Sequence, residues 1–238
     1  MAKIGDDAFL APSRLVQQHA LVAVRSKKRR NAAGESLIAD MLGLDPVPIA
    51  SASVPKHLVD FLYATLHLYG SYYRFDEYRT VLRRYPWRGR VSRHVHLSIC
   101  MHAILNECYV FEERLKKFFA AVETCAEAAD QDFPRSNSST ILRSYHRSLI
   151  SFLKARGVHT HQSDFVPREL DRISLIEMLT GGGEMKKLRF ALPLALRNFR
   201  MIWLKNIDGA QQSIKTHMIA AFATTEHIWS RLAPQGKS

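Results

Sequence analysis

Apolar residues recur every three or four positions along most of the chain, whereas alternating and β-branched runs are scarce. This period matches the turn of an α-helix rather than the two-residue repeat of a strand. The pattern therefore predicts an all-α protein. The predicted helices cover residues 12–30, 36–43, 55–70, 93–129, 139–156, 167–180, 184–206 and 209–232. Pro193 predicts an interruption or kink in the helix over 184–206, because proline lacks the backbone donor that a helix interior needs.

The segment over residues 93–129 has the most regular pattern in the chain. Eight apolar residues follow one another at alternating intervals of four and three: Leu97, Met101, Ile104, Cys108, Phe111, Leu115, Phe118 and Val122. We expect a long helix that packs along its whole length in a helical bundle.

Glu112 lies on the flank of this stripe, seven residues from Leu105 and from Phe119, whereas Glu113 falls on the outer face. A carboxylate among apolar neighbours needs a cationic or hydrogen-bonding partner. An ion pair with an arginine on a neighbouring helix is the structural alternative to a chemical role for Glu112.

The predicted helix over 139–156 follows a loop at 130–138, with Ser138 or Ser139 as its N-cap. One face carries Leu142, Tyr145, Leu149 and Phe152. Arg156 is the next member of the same progression, and Gly157 ends the helix. An arginine therefore closes a stripe that otherwise faces the core.

The chain of 238 residues has a formal charge of 34 − 22 = +12, and 47% of its residues are hydrophobic. The composition is that of a globular protein, which we divide into a basic, aromatic N-terminal helical extension (1–92) and a helical bundle with a C-terminal helical pair (93–238). Three cysteines without a CxxC spacing favour a reducing, cytoplasmic setting. No run reaches the roughly 18 apolar residues that span a bilayer, so we expect no membrane association.

Two basic segments indicate a polyanionic partner. The first, RSKKRR at 25–30, is either a solvated helix end or a phosphate-binding cluster. The second mixes Tyr, Trp and Arg over 72–93, where rings can stack on unpaired bases while guanidiniums hold phosphates. An amphipathic helix with core aromatics is the alternative. The candidate RNA-binding residues are Arg83, Arg84, Trp87, Arg88 and Arg90.

Several catalytic signatures are absent from the sequence, including GxxxxGK[ST], HExxH and GxSxG. The pairs His94 with His96 and His159 with His161 are the only arrangement that suggests a metal site. We expect neither a metal nor a cofactor.

Arg156 and His161 have four residues between them, and the break after the helix would let both face one cleft. An imidazole exchanges protons near neutral pH, and a guanidinium binds a phosphate through two hydrogen bonds. Together they suit the attack of a ribose 2'-hydroxyl on its own 3'-phosphate. The structural alternative is that Arg156 caps the helix or pairs with Glu112, and that His159 and His161 are loop residues.

The run Asn106–Lys116, followed by a second helix that ends in Arg156-Gly-Val-His-Thr-His161, resembles the HEPN superfamily of small helical bundles over about residues 93–180. Many members of that family are metal-independent endoribonucleases of toxin and antiphage systems, and they act as dimers with two Arg…His motifs facing each other. The resemblance implies that Arg156 binds the phosphate, that His161 is the general acid or base, and that Glu112 takes the acidic position on the preceding helix. Active members commonly carry a polar residue where this chain has Gly157, and His159 is the candidate replacement.

The sequence thus predicts an endoribonuclease that acts as a homodimer, with a cognate antitoxin or another defence protein as a partner. Two alternatives stay open. One is a catalytically inactive HEPN-like module that binds RNA or protein, and the other is a helical DNA-binding regulatory protein that uses residues 72–93.

Overall fold

The computed structural model describes Phe9, Pro12 and residues 55–84, 91–154, 167–181, 187 and 190–229. Its principal helices are α1 (Lys56–Arg83), α2 (Arg93–Ala128), α3 (Arg135–Ser148), α4 (Arg168–Gly181) and α5 (Ala191–Trp229). These ranges contain no strand, so the all-α prediction is confirmed for them. The predicted helix over 36–43 and nearly all of the one over 12–30 lie outside the described residues.

Helix α2 agrees with the sequence prediction to within one residue at its end. All eight members of the predicted stripe are buried, each with at most 1% of its surface exposed. The helix ends where Asp130 adopts a left-handed conformation with φ of 50°, and the Gln131 N–H donates to the Ala126 carbonyl.

Helix α1 is longer than predicted, because it continues from residue 70 to Arg83. Leu68, Phe75 and Leu82 are buried at seven-residue intervals, so one apolar stripe runs through the segment that we had divided. The segment is therefore helical as far as residue 83, but core aromatics are confirmed only in part: Phe75 is buried, Tyr72 and Tyr78 are partly buried, and Tyr73 is exposed.

Helix α3 begins at Arg135, directly after Pro134, and not at residue 139. The predicted N-cap role of Ser138 or Ser139 is wrong, because both lie inside the helix and the Ser138 hydroxyl donates to the Arg135 carbonyl. Residues 150–154 are helical beyond a one-residue turn at Leu149. Helix α4 starts after Pro167, with Glu169 and Asp171 in its first turn, as predicted.

Helix α5 is one continuous helix where the sequence predicted two. Pro193 lies in its first turn, where a missing N–H breaks no helical hydrogen bond, so α5 has no kink there. Most of residues 184–190 lie outside the described part, so an interruption of the predicted helix before Pro193 stays a prediction. The predicted break near residue 208 is also wrong, because Trp203, Ile207 and Ala210 continue one buried face through it.

Two compact units make up the chain: residues 1–67, 116–138 and 218–238 form one, and residues 68–115 and 139–217 form the other. In the first, the Phe118 ring packs against those of Phe61 and Phe222, at centroid distances of 5.7 and 5.6 Å. In the second, Phe111 and Tyr145 pack at 4.9 Å. The predicted division at residue 92 stays a prediction, since most of residues 1–92 lie outside the described part.

No helix in the described part of the chain is long and apolar enough to span a membrane.

Candidate functional site

The segment that leads to the predicted catalytic motif follows the expected pattern on α3 and the residues after it. Tyr145 and Leu149 are buried, and Phe152 is partly buried with its ring 6.5 Å from that of Trp203. The Tyr145 hydroxyl donates to the Cys108 carbonyl at 2.7 Å, which fixes this face of α3 against α2. The predicted inward face is confirmed as far as residue 152. Arg156, His159 and His161 lie outside the described residues.

Glu112 occupies the partly buried flank that the sequence predicted, with 15% of its side chain exposed. Its Oε2 lies 3.3 Å from Nδ1 of His146 on α3. One partner of Glu112 is thus a histidine, and the ion pair with an arginine that the sequence pattern offered as the structural alternative stays a prediction. Glu113, which we expected on the outer face, is only partly exposed.

The predicted RNA-binding residues are described only in part. Arg83 and Arg84 are exposed at the end of α1, and Trp87, Arg88 and Arg90 lie outside the described residues. Two other arginines of this segment, Arg74 and Arg79, form ion pairs with carboxylates. The structure thus assigns part of the arginine-rich segment to holding the helices together.

Glu107 forms a buried ionic cluster that the sequence reading missed. The side chain is 4% exposed, and its Oε1 accepts a hydrogen bond from Arg114 Nη1 at 2.7 Å. Its Oε2 accepts from Arg74 Nη1 at 3.0 Å and lies 3.4 Å from the Tyr78 hydroxyl. Arg114 also donates to the Ser71 hydroxyl. Both carboxylate oxygens are therefore paired, as a buried charge requires.

One signal in the sequence could have found this cluster. Arg93, Cys100, Glu107 and Arg114 recur every seven residues on the other flank of the apolar stripe, opposite Glu112. Glu107 and Arg114 therefore share a helix face, but the partners on α1 depend on how the two helices pack. The carboxylate raises the pKa of Arg74, chiefly through their hydrogen bond, and burial raises the pKa of Tyr78 to about 12.

A second carboxylate, Glu177 of α4, holds the N-terminus of α2. Its oxygens accept hydrogen bonds from the Arg93 and His94 N–H groups at 3.1 and 3.2 Å. Glu177 Oε2 also lies 2.9 Å from Nδ1 of His94. The first N–H groups of a helix have no partner within it, so this carboxylate satisfies them and complements the helix dipole. These residues line a cavity of about 770 Å³ with Ser92 and Ser174.

We expect Glu177→Ala to lower the free energy of unfolding by roughly 1–2 kcal/mol, because two N–H groups and His94 lose their acceptor. Urea denaturation would measure the change as a lower midpoint at constant slope. Glu177→Gln keeps one oxygen acceptor and should lower the free energy of unfolding by less than Glu177→Ala does. Equal midpoints for wild type and Glu177→Ala would contradict the capping role.

A serine–histidine pair joins α3 and α5 in the second unit. His217 is 7% exposed, and its Nδ1 lies 2.7 Å from the Ser213 carbonyl oxygen. Its Nε2 lies 3.2 Å from Oγ of Ser144. A carbonyl can only accept, so Nδ1 carries the ring proton, and in the neutral ring the Ser144 hydroxyl donates to Nε2. A hollow of about 440 Å³ adjoins this pair and is lined by Thr140, Arg143, Ser144 and Arg147.

The three cysteines are buried and free. Burial raises the pKa of Cys108 to about 12 and that of Cys125 to about 11. Both therefore remain neutral thiols at physiological pH, in agreement with the core role predicted for Cys108.

Among the residues that the structure describes, no group of three or more His, Cys, Asp or Glu side chains is arranged to hold a metal ion.

No protein-family model matches the sequence, and neither the curated proteins nor the solved structures compared with this chain show a match.

Proposed function

We propose that the protein is a metal-independent endoribonuclease of the toxin or antiphage-defence type. One observation carries the proposal: Arg156 occupies the next place in a helical progression whose earlier members, Tyr145 and Leu149, are buried, and His161 follows after four residues. A core-facing series that ends in an arginine, with a histidine just beyond, provides an anion-binding group and a proton-transfer group close together in sequence.

In this proposal His161 takes the proton from a ribose 2'-hydroxyl, whose oxygen then attacks the adjacent phosphorus. Arg156 stabilises the negative charge that builds on the phosphate oxygens. The bond to the 5'-oxygen of the next nucleotide breaks, and that oxygen receives a proton from the second Arg…His pair of a homodimer. The products are a 2',3'-cyclic phosphate and a 5'-hydroxyl.

The charge of the chain also supports an RNA substrate. A net charge of +12 attracts a polyanion over a long range, and Arg83 and Arg84 are exposed where α1 ends. A cytoplasmic setting and regulation by a cognate antitoxin or defence partner belong to the same proposal.

A second candidate is a catalytically inactive module of the same kind that binds RNA or protein. It is favoured by Gly157, which follows Arg156 where active relatives in the HEPN superfamily commonly carry a polar residue. This candidate implies salt-sensitive RNA binding that leaves the RNA intact.

Incubation of purified protein with single-stranded RNA in excess EDTA tests the proposal. We expect fragments that end in a 2',3'-cyclic phosphate and begin with a 5'-hydroxyl, which end-specific enzymatic labelling distinguishes. The matched control is the same oligonucleotide with a single 2'-deoxy substitution at the cleaved nucleotide, which lacks the attacking hydroxyl and should stay intact there. RNA that binds but remains whole would favour the inactive module, and cleavage at the 2'-deoxy position would rule out the 2'-hydroxyl mechanism.

A further inference from the structure

The exposed face of α3 carries a hollow of about 440 Å³ with two arginines and two hydroxyl groups. Its lining residues are Thr140, Arg143, Ser144 and Arg147, which are spaced so that they share one helix face. Ser144 lies between the arginines in sequence and is exposed.

The two arginines place like charges one helical turn apart. Such a pair repels slightly in an isolated helix, and an anion between the guanidiniums removes the repulsion. Among the described residues, no carboxylate lines the hollow, and neither Arg143 nor Arg147 forms an ion pair. Arg143 donates from Nε to the Ser139 carbonyl at 3.2 Å, which leaves its two terminal nitrogens for a ligand.

His217 determines which hydrogen-bonding role Ser144 has toward the hollow. In the neutral ring the Ser213 carbonyl holds the proton on Nδ1 of His217, so the Ser144 hydroxyl donates its proton to Nε2. The Ser144 oxygen is then an acceptor for any further partner. A phosphate oxygen offers no proton, whereas a ribose 2'-hydroxyl does, and that group distinguishes RNA from DNA.

We propose that this hollow binds the ribose-phosphate backbone of an RNA strand, with Arg143 and Arg147 on phosphate oxygens and Ser144 accepting a hydrogen bond from a 2'-hydroxyl. The inference rests on the proposed RNA substrate, but it concerns binding and the choice of RNA over DNA. It adds a recognition surface on α3 to the arginines already considered on α1.

Binding can be measured by fluorescence anisotropy in EDTA, with a single-stranded RNA 12-mer and DNA of the same base sequence as probes. All proteins would carry His161→Ala, so that the RNA stays intact during the titration. We expect Ser144→Ala to raise the RNA Kd roughly three- to tenfold and to leave the DNA Kd unchanged, since one hydrogen bond to the 2'-hydroxyl is lost.

The double variant Arg143→Ala/Arg147→Ala should raise the Kd for both probes at least about tenfold. The slope of log K against log salt concentration should become less steep by about 1.4. The matched control is Arg168→Ala/Arg172→Ala, which removes two exposed arginines at the same spacing from α4, where Glu169 and Asp171 lie beside them. We expect it to change either Kd by less than twofold.

Equal effects of the two arginine pairs, or an equal effect of Ser144→Ala on RNA and DNA, would overturn the proposal. Its failure is distinguishable from that of the ribonuclease. RNA cleavage by the wild type without a Ser144-dependent preference for RNA contradicts only the binding surface. A Ser144-dependent preference in a protein that leaves RNA whole contradicts only the catalytic proposal.

Discussion

Arg156→Ala and His161→Ala are each expected to lower kcat for RNA cleavage at least about 100-fold, with a smaller change in KM. Removing the imidazole forfeits proton transfer, and removing the guanidinium leaves the charge on the phosphate unstabilised in the transition state. Because both groups act on one transition state, the double variant should lose much less than the product of the two single effects. Initial rates of multiple-turnover cleavage of a labelled RNA in EDTA give kcat and KM, and single-turnover cleavage checks that the loss lies in the chemical step.

Two controls make this result specific. Arg168→Ala and His227→Ala remove the same side-chain types from exposed positions on α4 and α5, and they should cleave within twofold of wild type. Arg156→Lys keeps the charge but loses the planar fork that binds two phosphate oxygens, so we expect only partial activity. Undiminished cleavage by Arg156→Ala or His161→Ala would contradict the catalytic role assigned to that residue.

Glu112 provides a further comparison because its neighbour is His146. The residues after this contact are described as far as residue 154, and Arg156 and His161 lie beyond them. Glutamine keeps a side-chain oxygen that can accept a hydrogen bond from His146. We expect Glu112→Gln to lower kcat by less than tenfold, which would give this carboxylate a supporting role; a loss as large as that of Arg156→Ala would make it catalytic.

Glu107→Ala is expected to lower the free energy of unfolding by about 3 kcal/mol. The change leaves Arg114, which is 16% exposed, with a buried charge and only Ser71 as a described partner. Arg74 is 44% exposed and can point its guanidinium into water, so the loss of its ion pair with Glu107 should contribute little to the destabilisation. Urea denaturation followed by circular dichroism would measure the lower midpoint.

Glu226→Ala, the same substitution at an exposed position of α5, is the matched control and should stay within about 0.5 kcal/mol of wild type. The double variant Glu107→Leu/Arg114→Leu removes both buried charges and should recover most of the loss, because the cost lies in the unpaired charge. A double variant as unstable as Glu107→Ala would show that shape and packing, and not the orphaned charge, cause the destabilisation.

The sequence pattern predicted α2 and α4 well because their signals are local. In α2 an unbroken apolar stripe sets the buried face, and in α4 Pro167 and two acids mark the start. The pattern failed where tertiary contacts override a local break signal. Asp208 and Gly209 indicate a turn, yet Asp208 accepts hydrogen bonds from Arg79 of α1 while Ile207 and Ala210 stay buried, so the helix continues.

The candidate sites show the same limit. The spacing of apolar residues along α2 correctly predicted that Glu112 lies on a partly buried flank, because that position depends on α2 alone. The Glu107 cluster and the Ser144–His217 pair each join residues that are dozens of positions apart, and no interval in the sequence encodes which helices lie side by side. The described structure thus adds stabilising contacts and a proposed binding surface that the motif alone does not contain.

Helix α2 has one further consequence for experiments on this chain. Cys108 belongs to one compact unit, and Cys125, whose thiol contacts the His57 carbonyl, belongs to the other. Each sulfur becomes available to an alkylating reagent only when its own surroundings open. One helix therefore carries native thiols that report the local opening of each compact unit, Cys100 and Cys108 for one and Cys125 for the other, and mass spectrometry of the alkylated peptides would measure the two units separately.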